Sequence, residues 1–417
     1  MIPQLIERRL ITARQGSASP FQDRPNSPFE GLTVLQIIPE LNAGGAERST
    51  IDIAAAIAEA GGKALVASLG GRMVSELQAK GGIWVPFPAK TKNPFAMLCN
   101  VARLSNLIKR ERIDIVHARS RAPAWVGFGA SRLTKIPFVT TYHGSYSGKG
   151  ALKLLYNSVM ARGDAVIANS AFTAQRIAEL HPAAEGKVRI VHRGVDSRIF
   201  SPDAIASSRV HALRRQWNVA PDERIVLLAA RLSSWKGHEI LIEAARLLVA
   251  DGLCDTKFVL AGDDQGRGGL VRDVDAAIGK AGLRGIVVRT GHCKDMPAAL
   301  LAAAVVAVPS TAPEAFGRVA IEAQAMGTPV VASDFGAHSE TILAPPDVDP
   351  SQRTGWLVPV NDAQALAEAL ACVLNLGASA RETLAYRART HIESRFSVER
   401  MRSETLAAYA ALLATSG

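Results

Sequence analysis

The chain contains few of the residues that build disulfide or metal frameworks. Only four of its 417 residues are cysteines, and they form no Cys-x-x-Cys pair. Such scattering predicts reduced core thiols in a cytoplasmic protein. No apolar run reaches the roughly 18–20 residues that span a bilayer, and the N-terminal segment lacks the continuous apolar core of a signal peptide. The cysteines are Cys99, Cys254, Cys293 and Cys372.

Acidic residues are too few to balance the basic ones, which leaves a formal charge of +10. This charge favours anionic partners such as nucleotide diphosphates, lipid phosphates and an anionic membrane surface. The sequence shows no recognition helix, zinc module or aromatic-plus-basic strand, so we expect no nucleic-acid partner. Residues 1–30 are predicted to form a disordered tail. Their arginines and leucines leave two interpretations open, a frayed end or a contact with a membrane surface.

Short β-rich runs alternate with helical segments from Leu32 onward, a pattern typical of parallel sheets with helical crossovers. Because the pattern restarts at Arg224, we expect an α/β protein with two doubly wound Rossmann-like domains that face a cleft. The predicted domains span 31–205 and 206–395, and a C-terminal helix over 396–417 is expected to pack back on the first domain. The predicted strands are Thr33–Ile38, Ala64–Ser68, Ile83–Pro86, Ile113–His117, Phe138–Thr141, Ala165–Ala168, Val188–Val191, Arg224–Ala230, Lys257–Ala261, Ile286–Arg289, Ala304–Val308, Pro329–Ala332 and Trp356–Val358.

Two glutamates, Glu314 and Glu322, lie around a predicted strand-to-helix junction near Gly317. The free N–H groups and the dipole of a helix N-terminus favour a phosphate there. Glu322 would lie five residues into the helix, roughly 7–8 Å along its axis, whereas Glu314 would stay in the preceding loop. The pair therefore straddles an anion site, which suits a nucleotide sugar. Taken alone, a dipole-favoured acid plus a solvated helix residue explains the spacing equally well.

Two cations in the same half, Arg231 and Lys236, follow another predicted strand and precede a helix. Cations are disfavoured at a helix N-terminus, so a purely structural role is less natural for this pair. Together with a helix N-terminus, they can stabilise a departing diphosphate without a metal.

The segment EAFGRVAIEAQAMGTPVVASDFGAHSE resembles the signature of glycosyltransferase family 4, the retaining nucleotide-sugar glycosyltransferases of the GT-B fold. Ala315 and Ala230 stand where the family usually has glycine, and the glutamates are in place. The resemblance, which extends from Thr33 to the C-terminus, implies roles for individual residues. Arg231 and Lys236 would bind the diphosphate, Glu322 the ribose and Glu314 the donor sugar, with the backbone N–H groups of Phe316, Gly317 and Arg318 completing the pocket.

The N-terminal half contributes further candidates to the cleft. Gly44 and Gly45 lie between a strand and a helix and resemble the family's Gly-Gly-Ala-Glu segment near the donor phosphates; a tight turn without a ligand is the alternative. His143 follows a strand and resembles the family's catalytic histidine, which contacts the donor sugar. Arg119 and Arg121 follow another strand and are either contacts for an anionic acceptor or solvated loop cations.

The expected function is metal-independent transfer of a sugar, with retention, from a nucleotide-diphosphate sugar to a lipopolysaccharide or other envelope glycan or glycolipid. We expect no cofactor and no metal, because neither Asp-x-Asp motif, Asp273–Asp275 or Asp347–Asp349, lies at a strand end beside the phosphate site. The expected location is the cytoplasm or the inner face of its membrane. A nucleotide-sugar epimerase and a non-catalytic glycan-binding relative are the alternatives.

Overall fold

The computed structural model describes residues 29–42, 44–144, 150–264 and 268–416, which form two α/β domains. Each domain is built on one parallel sheet with helices between successive strands. The predicted α/β architecture of two doubly wound domains is therefore confirmed. All but two residues of the predicted N-terminal tail lie outside the described part of the chain. Phe29, near the end of that predicted tail, is buried and packs edge-on against Tyr409, with ring centroids 6.5 Å apart.

The N-terminal sheet has seven strands in the order β3-β2-β1-β4-β5-β6-β7. Its strands are β1 (Thr33–Ile37), β2 (Lys63–Ser68), β3 (Ile83–Pro86), β4 (Ile115–Ala118), β5 (Phe138–Tyr142), β6 (Ala165–Ala168) and β7 (Val188–Ile190). The helices between them are α1 (Gly45–Glu59), α2 (Val74–Ala79), α3 (Pro94–Glu111), α4 (Arg121–Thr134), α5 (Ala151–Ser158) and α6 (Ala171–Leu180). Helix α7 (Ser207–Gln216) follows β7 in the sequence but packs on the C-terminal domain, against the helix Met296–Ala302.

The C-terminal sheet has six strands in the order β10-β9-β8-β11-β12-β13. They are β8 (Arg224–Ala229), β9 (Thr256–Ala261), β10 (Val287–Gly291), β11 (Val305–Val308), β12 (Val330–Ser333) and β13 (Trp356–Val358). The associated helices are α8 (His238–Ala250), α9 (Gly268–Lys280), α10 (Met296–Ala302), α11 (Arg318–Ala325), α12 (His338–Thr341), α13 (Ala363–Leu374), α14 (Ala378–Arg395) and α15 (Val398–Ser416).

The central strands are apolar on both faces, because helices cover both sides of each parallel sheet. Strands β4, β11 and β12 are buried along their whole length and consist mostly of valine, isoleucine and alanine. Because both faces of these strands are buried, each strand is a continuous apolar run in the sequence rather than an alternating one. Short apolar runs therefore predicted the strands correctly. Each predicted strand overlaps an observed one, with ends that differ by up to two residues.

The final helix, α15, leaves the C-terminal domain and packs on α1 of the N-terminal domain. Its Tyr409 is fully buried there, and its hydroxyl lies 2.5 Å from Nδ1 of His117. Arg402 donates a hydrogen bond to the main-chain oxygen of Asp52 at 3.0 Å and pairs with Glu59 at 2.7 Å. The N-terminal domain is thus completed by the end of the chain.

The cysteines differ from their predicted positions. All four are free, but Cys99, Cys254 and Cys372 are exposed, and Cys293 is half-buried, so the predicted core location is wrong. Alanine-rich helices carry small apolar residues on their outer faces as well, and composition alone does not distinguish the two faces. No single helix in the described ranges is long and apolar enough to cross a membrane; the pair α13–α14, bent by 109°, meets those criteria only by length and composition.

Candidate active site

The predicted site residues follow the carboxyl ends of strands in both sheets, which is where parallel α/β sheets bind ligands. Arg231 follows β8, Glu314 follows β11 and His143 follows β5. The two domains meet at these ends. A side chain on Gly45 of the N-terminal domain would lie only 3.0 Å from Cδ of Arg318 in the C-terminal domain.

Glu314 is held by two side chains of its own domain. Nζ of Lys236 lies 2.5 Å from Oε1 of Glu314, and the Ser310 hydroxyl donates to the same oxygen at 2.8 Å. Burial raises the pKa of Glu314, but the attraction of Lys236 and of His338, with these hydrogen bonds, outweighs that effect, so the net pKa lies below the ordinary value. Glu314 is therefore ionised at neutral pH and forms a buried ion pair with one of the two predicted diphosphate cations.

Gly317 is the N-cap of α11, whose first helical residue, Arg318, lies next to the junction predicted near Gly317. Its φ of 78° is a left-handed conformation that glycine adopts without steric cost. The imidazole of His338 fills the space where a side chain would be, with Nε2 only 2.8 Å from the ideal Cβ position. The fully buried His338 donates through Nδ1 to the main-chain oxygen of Ser333 at 2.8 Å. The sequence analysis did not identify His338 as a site residue.

Glu322 lies one helical turn beyond the start of α11 and is 8% exposed. Arg318 donates to its Oε1 through Nε at 3.0 Å and Nη2 at 2.8 Å. Glu314 and Glu322, on opposite sides of the helix start at Gly317, are thus each paired with a different cation. That the two glutamates straddle an anion site stays a prediction.

His143 follows β5 in the N-terminal domain and contacts Arg193, whose Nη2 lies 2.8 Å from Nδ1 of the imidazole. The Nε2 atom of His143 is shielded from solvent and has no hydrogen-bond partner among the described residues. Burial, then the nearby charges of Arg193 and Arg119, hold the pKa of His143 well below its ordinary value. The ring is therefore neutral at physiological pH.

Arg193 also crosses the Gly44–Gly45 segment, because any side chain on Gly45 would collide with Nη1 of Arg193. Beside this segment, burial raises the pKa of Glu47, an effect that Arg193 and Arg231 oppose. Arg231 of the C-terminal domain therefore lies within electrostatic range of the N-terminal loop. The predicted donor-binding glycines and the predicted diphosphate cation are close to each other.

The two predicted acceptor arginines have different environments. Arg119 is only 4% exposed and donates through Nε to Gln36 Oε1 at 3.0 Å. Burial lowers the pKa of Arg119 to about 10, partly offset by Tyr409 and Asp52. Arg119 thus lies inside the N-terminal domain rather than on a loop surface, and we do not retain it as a direct acceptor contact.

Arg121, the first residue of α4, is only half-buried and remains at the carboxyl edge of the sheet. It donates to Asn157 Oδ1 at 2.8 Å, and its guanidinium lies 5.7 Å from the ring centre of Tyr156. Its predicted contact with an anionic acceptor stays a prediction.

Direct hydrogen bonds join the domains next to the site. The hydroxyl of Ser170, the N-cap of α6, donates to the main-chain oxygen of Ala315 at 2.7 Å. The Glu340 carboxylate accepts from the N–H groups of Ala171 at 2.7 Å and Phe172 at 2.6 Å, and His192 Nε2 lies 3.2 Å away. Sequence spacing did not predict these contacts between the domains.

The Asp-x-Asp motifs lie away from this site. Asp275 pairs with Arg289 at 2.8 Å, and Asp349 accepts from the N–H of Ser351 within its own loop. In the part of the chain that the structure describes, no group of three or more His, Cys, Asp or Glu side chains is arranged to hold a metal ion.

Comparison with family models gives two matches that together include both domains. The model for Glycosyltransferase Family 4 matches residues 43–198, and the model for Glycosyl transferases group 1 matches residues 210–391. A D-inositol 3-phosphate glycosyltransferase of Kribbella flavida is 31% identical over 351 residues, which cover 78% of this chain and 78% of the relative. The chain spans 59% of the Mycolicibacterium gilvum protein of the same name.

Solved structures match the whole two-domain arrangement. A glycosyltransferase from Rickettsia africae superposes with a TM-score of 0.82 at 32% identity, covering 92% of this chain and 98% of that one. The structure of Anabaena HepE in complex with UDP-glucose gives a TM-score of 0.78 at 27% identity, covering 91% of this chain and all of the other.

Proposed function

Because the chain belongs to the group 1 glycosyltransferases of family 4, we propose that it transfers a sugar from a nucleotide-diphosphate sugar to a hydroxyl group, with retention and without a metal. The observation that carries this proposal is the pair Glu314 and Glu322. Both are 8% exposed, both are paired with a cation, and along the chain one precedes and the other follows a helix N-terminus. A ligand with hydroxyl groups on both sides of a diphosphate fits this layout.

The cations and the start of α11 would stabilise the diphosphate as it departs. In the proposed step, the bond between the anomeric carbon and the phosphate oxygen breaks, and its electron pair stays on the phosphate. Arg231, Lys236 and the free N–H groups at the start of α11 supply positive potential at that oxygen. The acceptor hydroxyl attacks the same face of the sugar, and its proton passes to the departing phosphate oxygen. Neutral His143 would donate a hydrogen bond to the sugar from the opposite domain.

A uridine nucleotide is the first donor to test, since a structural neighbour was solved with UDP-glucose. For the acceptor, the net charge of +10 favours an anionic molecule. A lipopolysaccharide or other envelope glycan has this property. A phosphorylated polyol is a second candidate, supported by the name of the 31%-identical relative. Both belong in the acceptor panel, together with an uncharged sugar.

The test separates the two glutamates, which form a matched pair of variants. Free nucleotide diphosphate contains the ribose but lacks the transferred sugar. Glu322→Gln should therefore weaken its binding by about 1–3 kcal/mol, the value of a charge-assisted hydrogen bond. Glu314→Gln should leave nucleotide binding nearly unchanged, while turnover falls by at least about tenfold, because its contact is made with the transferred sugar. Calorimetric titration and steady-state rates measure these effects.

Glutamine rather than alanine is chosen because removing one partner of a buried ion pair leaves the other charge unpaired and destabilises the fold. Glu243→Gln, at an exposed helix position paired with Arg246, serves as the control. Equal weakening of nucleotide binding by both site variants would contradict the placement of the diphosphate between them. Formation of an epimer or free sugar without acceptor would favour the epimerase, and absence of turnover despite nucleotide binding would favour a non-catalytic relative.

A further inference from the structure

We propose that Arg193 is a positioning residue that fixes the tautomer of His143, so that the imidazole presents an Nε2–H donor to the cleft. The proposal rests on the proposed function, which places the donor sugar against His143. It concerns a side chain from the loop after β7 that no feature of the sequence marked for this purpose.

The hydrogen bond between the two side chains has only one chemically allowed direction. A guanidinium has N–H donors and no acceptor, and it stays protonated in proteins. Because Nη2 of Arg193 lies 2.8 Å from Nδ1 of His143, this nitrogen must offer its lone pair. The imidazole then has to carry its proton on Nε2. The second ring nitrogen of a histidine is commonly set in this way by the partner of the first.

The charges around His143 keep the ring in this neutral form. The charged groups near it are Arg193 and Arg119, both cations, and His117 is the nearby titratable group. Burial lowers the pKa of His117 well below its ordinary value too, so it adds no positive charge. A second proton on His143 would thus meet two positive charges in a partly desolvated site. Neutral His143 with Nε2–H is a donor and cannot remove a proton through that atom.

The Nε2–H group is a donor to which no described residue offers an acceptor. Nε2 is shielded from solvent and has no partner among the described residues. A buried donor without a partner is costly, and a ligand oxygen placed there would relieve the cost. A hydroxyl or ring oxygen of the donor sugar has the required acceptor chemistry. Because Nε2 already carries a proton, it cannot take the proton of the hydroxyl group that attacks the sugar. This agrees with the proposed transfer of that proton to the departing phosphate.

Gly45 fixes the position of Arg193. Any side chain at residue 45 would collide with Nη1 of Arg193, and its Cβ would lie 3.0 Å from Cδ of Arg318. The guanidinium therefore passes over the start of α1, where the two domains meet. This gives a second way to disturb the arrangement, since Gly45→Ala would displace Arg193 while leaving Arg193 and His143 chemically intact.

Nitrogen-15 NMR of the histidine side chains in the full chain tests the proposal, because the shifts of the two ring nitrogens report which one carries the proton. His143→Gln assigns the signals by their loss. The unaltered chain should show His143 with the proton on Nε2. Arg193→Met should give a mixture of both tautomers, Arg193→Lys should retain Nε2–H, and Gly45→Ala should resemble Arg193→Met. Arg198→Met, five residues along the same loop and 72% exposed at its side chain, should change nothing.

Kinetics separate positioning from direct phosphate binding. Arg193→Met should lower kcat by at least about tenfold, the equivalent of one lost transition-state hydrogen bond, with nucleotide affinity changed by less than about threefold. The proposal is overturned if His143 keeps the Nε2–H tautomer in Arg193→Met, or if nucleotide affinity falls as much as kcat. A changed tautomer with unchanged kcat would also overturn it and leave the proposed function standing. If no glycosyl transfer is found at all, the tautomer measurement still decides whether Arg193 sets the proton position.

Discussion

The contact of Glu340 with the start of α6 should couple the stability of the two domains. Its carboxylate accepts two short hydrogen bonds from main-chain N–H groups of the other domain, and the side chain is 20% exposed. Hydrogen bonds to a charged group contribute about 1.5–3 kcal/mol each, and the helix dipole adds to them. Glu340→Gln removes the charge but keeps one acceptor, so we expect a loss of about 1–3 kcal/mol.

The matching change on the other domain is Ala171→Pro. Ala171 is the first residue of α6, where proline is tolerated because this N–H has no partner inside the helix. The preceding Ser170 has φ of −163° and ψ of 163°, an extended conformation that a following proline accepts. Proline removes the N–H that donates to Glu340 and brings its ring against the carboxylate. Ala171→Pro should therefore destabilise the unaltered chain and have much less effect in a Glu340→Ala background.

Scanning calorimetry measures both effects, since 1 kcal/mol shifts the midpoint by about 2–4 °C for a domain of roughly 150–250 residues. Burial raises the pKa of Glu340, but hydrogen bonds from His192, Phe172 and Ala171 outweigh it, and the net pKa is below the ordinary value of 4.5. The stabilisation is thus complete above pH 4.5 and is lost as pH falls through the lower folded-state value. The contact does not couple the domains if Glu340→Gln and the unaltered chain have equal midpoints at pH 7. The same conclusion follows if Ala171→Pro has the same effect in both backgrounds.

Three further outcomes are expected. Turnover should persist in excess EDTA, because we propose that Arg231 and Lys236 stabilise the diphosphate in place of a metal; lost activity restored by magnesium would contradict this. The chain should bind anionic vesicles more tightly than neutral ones, with binding weakened by salt, because its net charge is +10; equal binding to both would rule out the electrostatic attraction. Burial, then the charge of Lys236, lowers the pKa of His238 to about 4 in the folded chain. Because the unfolded chain already takes up this proton near pH 6.5, the free energy of unfolding should fall as the pH drops from 6.5 towards 4. Urea titrations should show this slope reduced in His238→Gln, by up to about 1.4 kcal/mol per pH unit.

The positions of the strands, and of Glu314 and Glu322 around the start of α11, were predictable because they depend on short local patterns. A buried parallel strand is a continuous apolar run, and a ligand site in such a sheet lies just after it. Glu314 and Glu322 could therefore be placed on either side of a helix start from their spacing alone. The helix begins within two residues of the predicted start, since Gly317 is the N-cap.

The environment of each side chain was less predictable, because it depends on residues distant in sequence. Arg119 looks like a loop cation after β4, yet Gln36 and Tyr409 of α15 lie beside it and it is buried. The contact of Arg193 with His143 joins residues 50 positions apart, and that of Glu340 with α6 joins residues 168–169 positions apart. Neither separation corresponds to a helix or strand repeat, so no sequence pattern links these residues. Gly45 leaves the space that Arg193 occupies, but a glycine in the sequence does not say which side chain crosses it.

Assembly of the proposed donor site and approach of the domains should be one equilibrium, because the loop that contains Glu314 makes contacts with both domains. Its carboxylate is held by Lys236 and Ser310 of the C-terminal domain, while the next residue, Ala315, accepts a hydrogen bond from Ser170 of the N-terminal domain. Separating the domains would break the second contact and release one end of the loop. A ligand that binds better to the assembled loop must therefore also favour the close arrangement of the domains, by as much as its affinities for the two states differ. On this reasoning, binding of the donor would itself help to bring His143 of the N-terminal domain against the sugar.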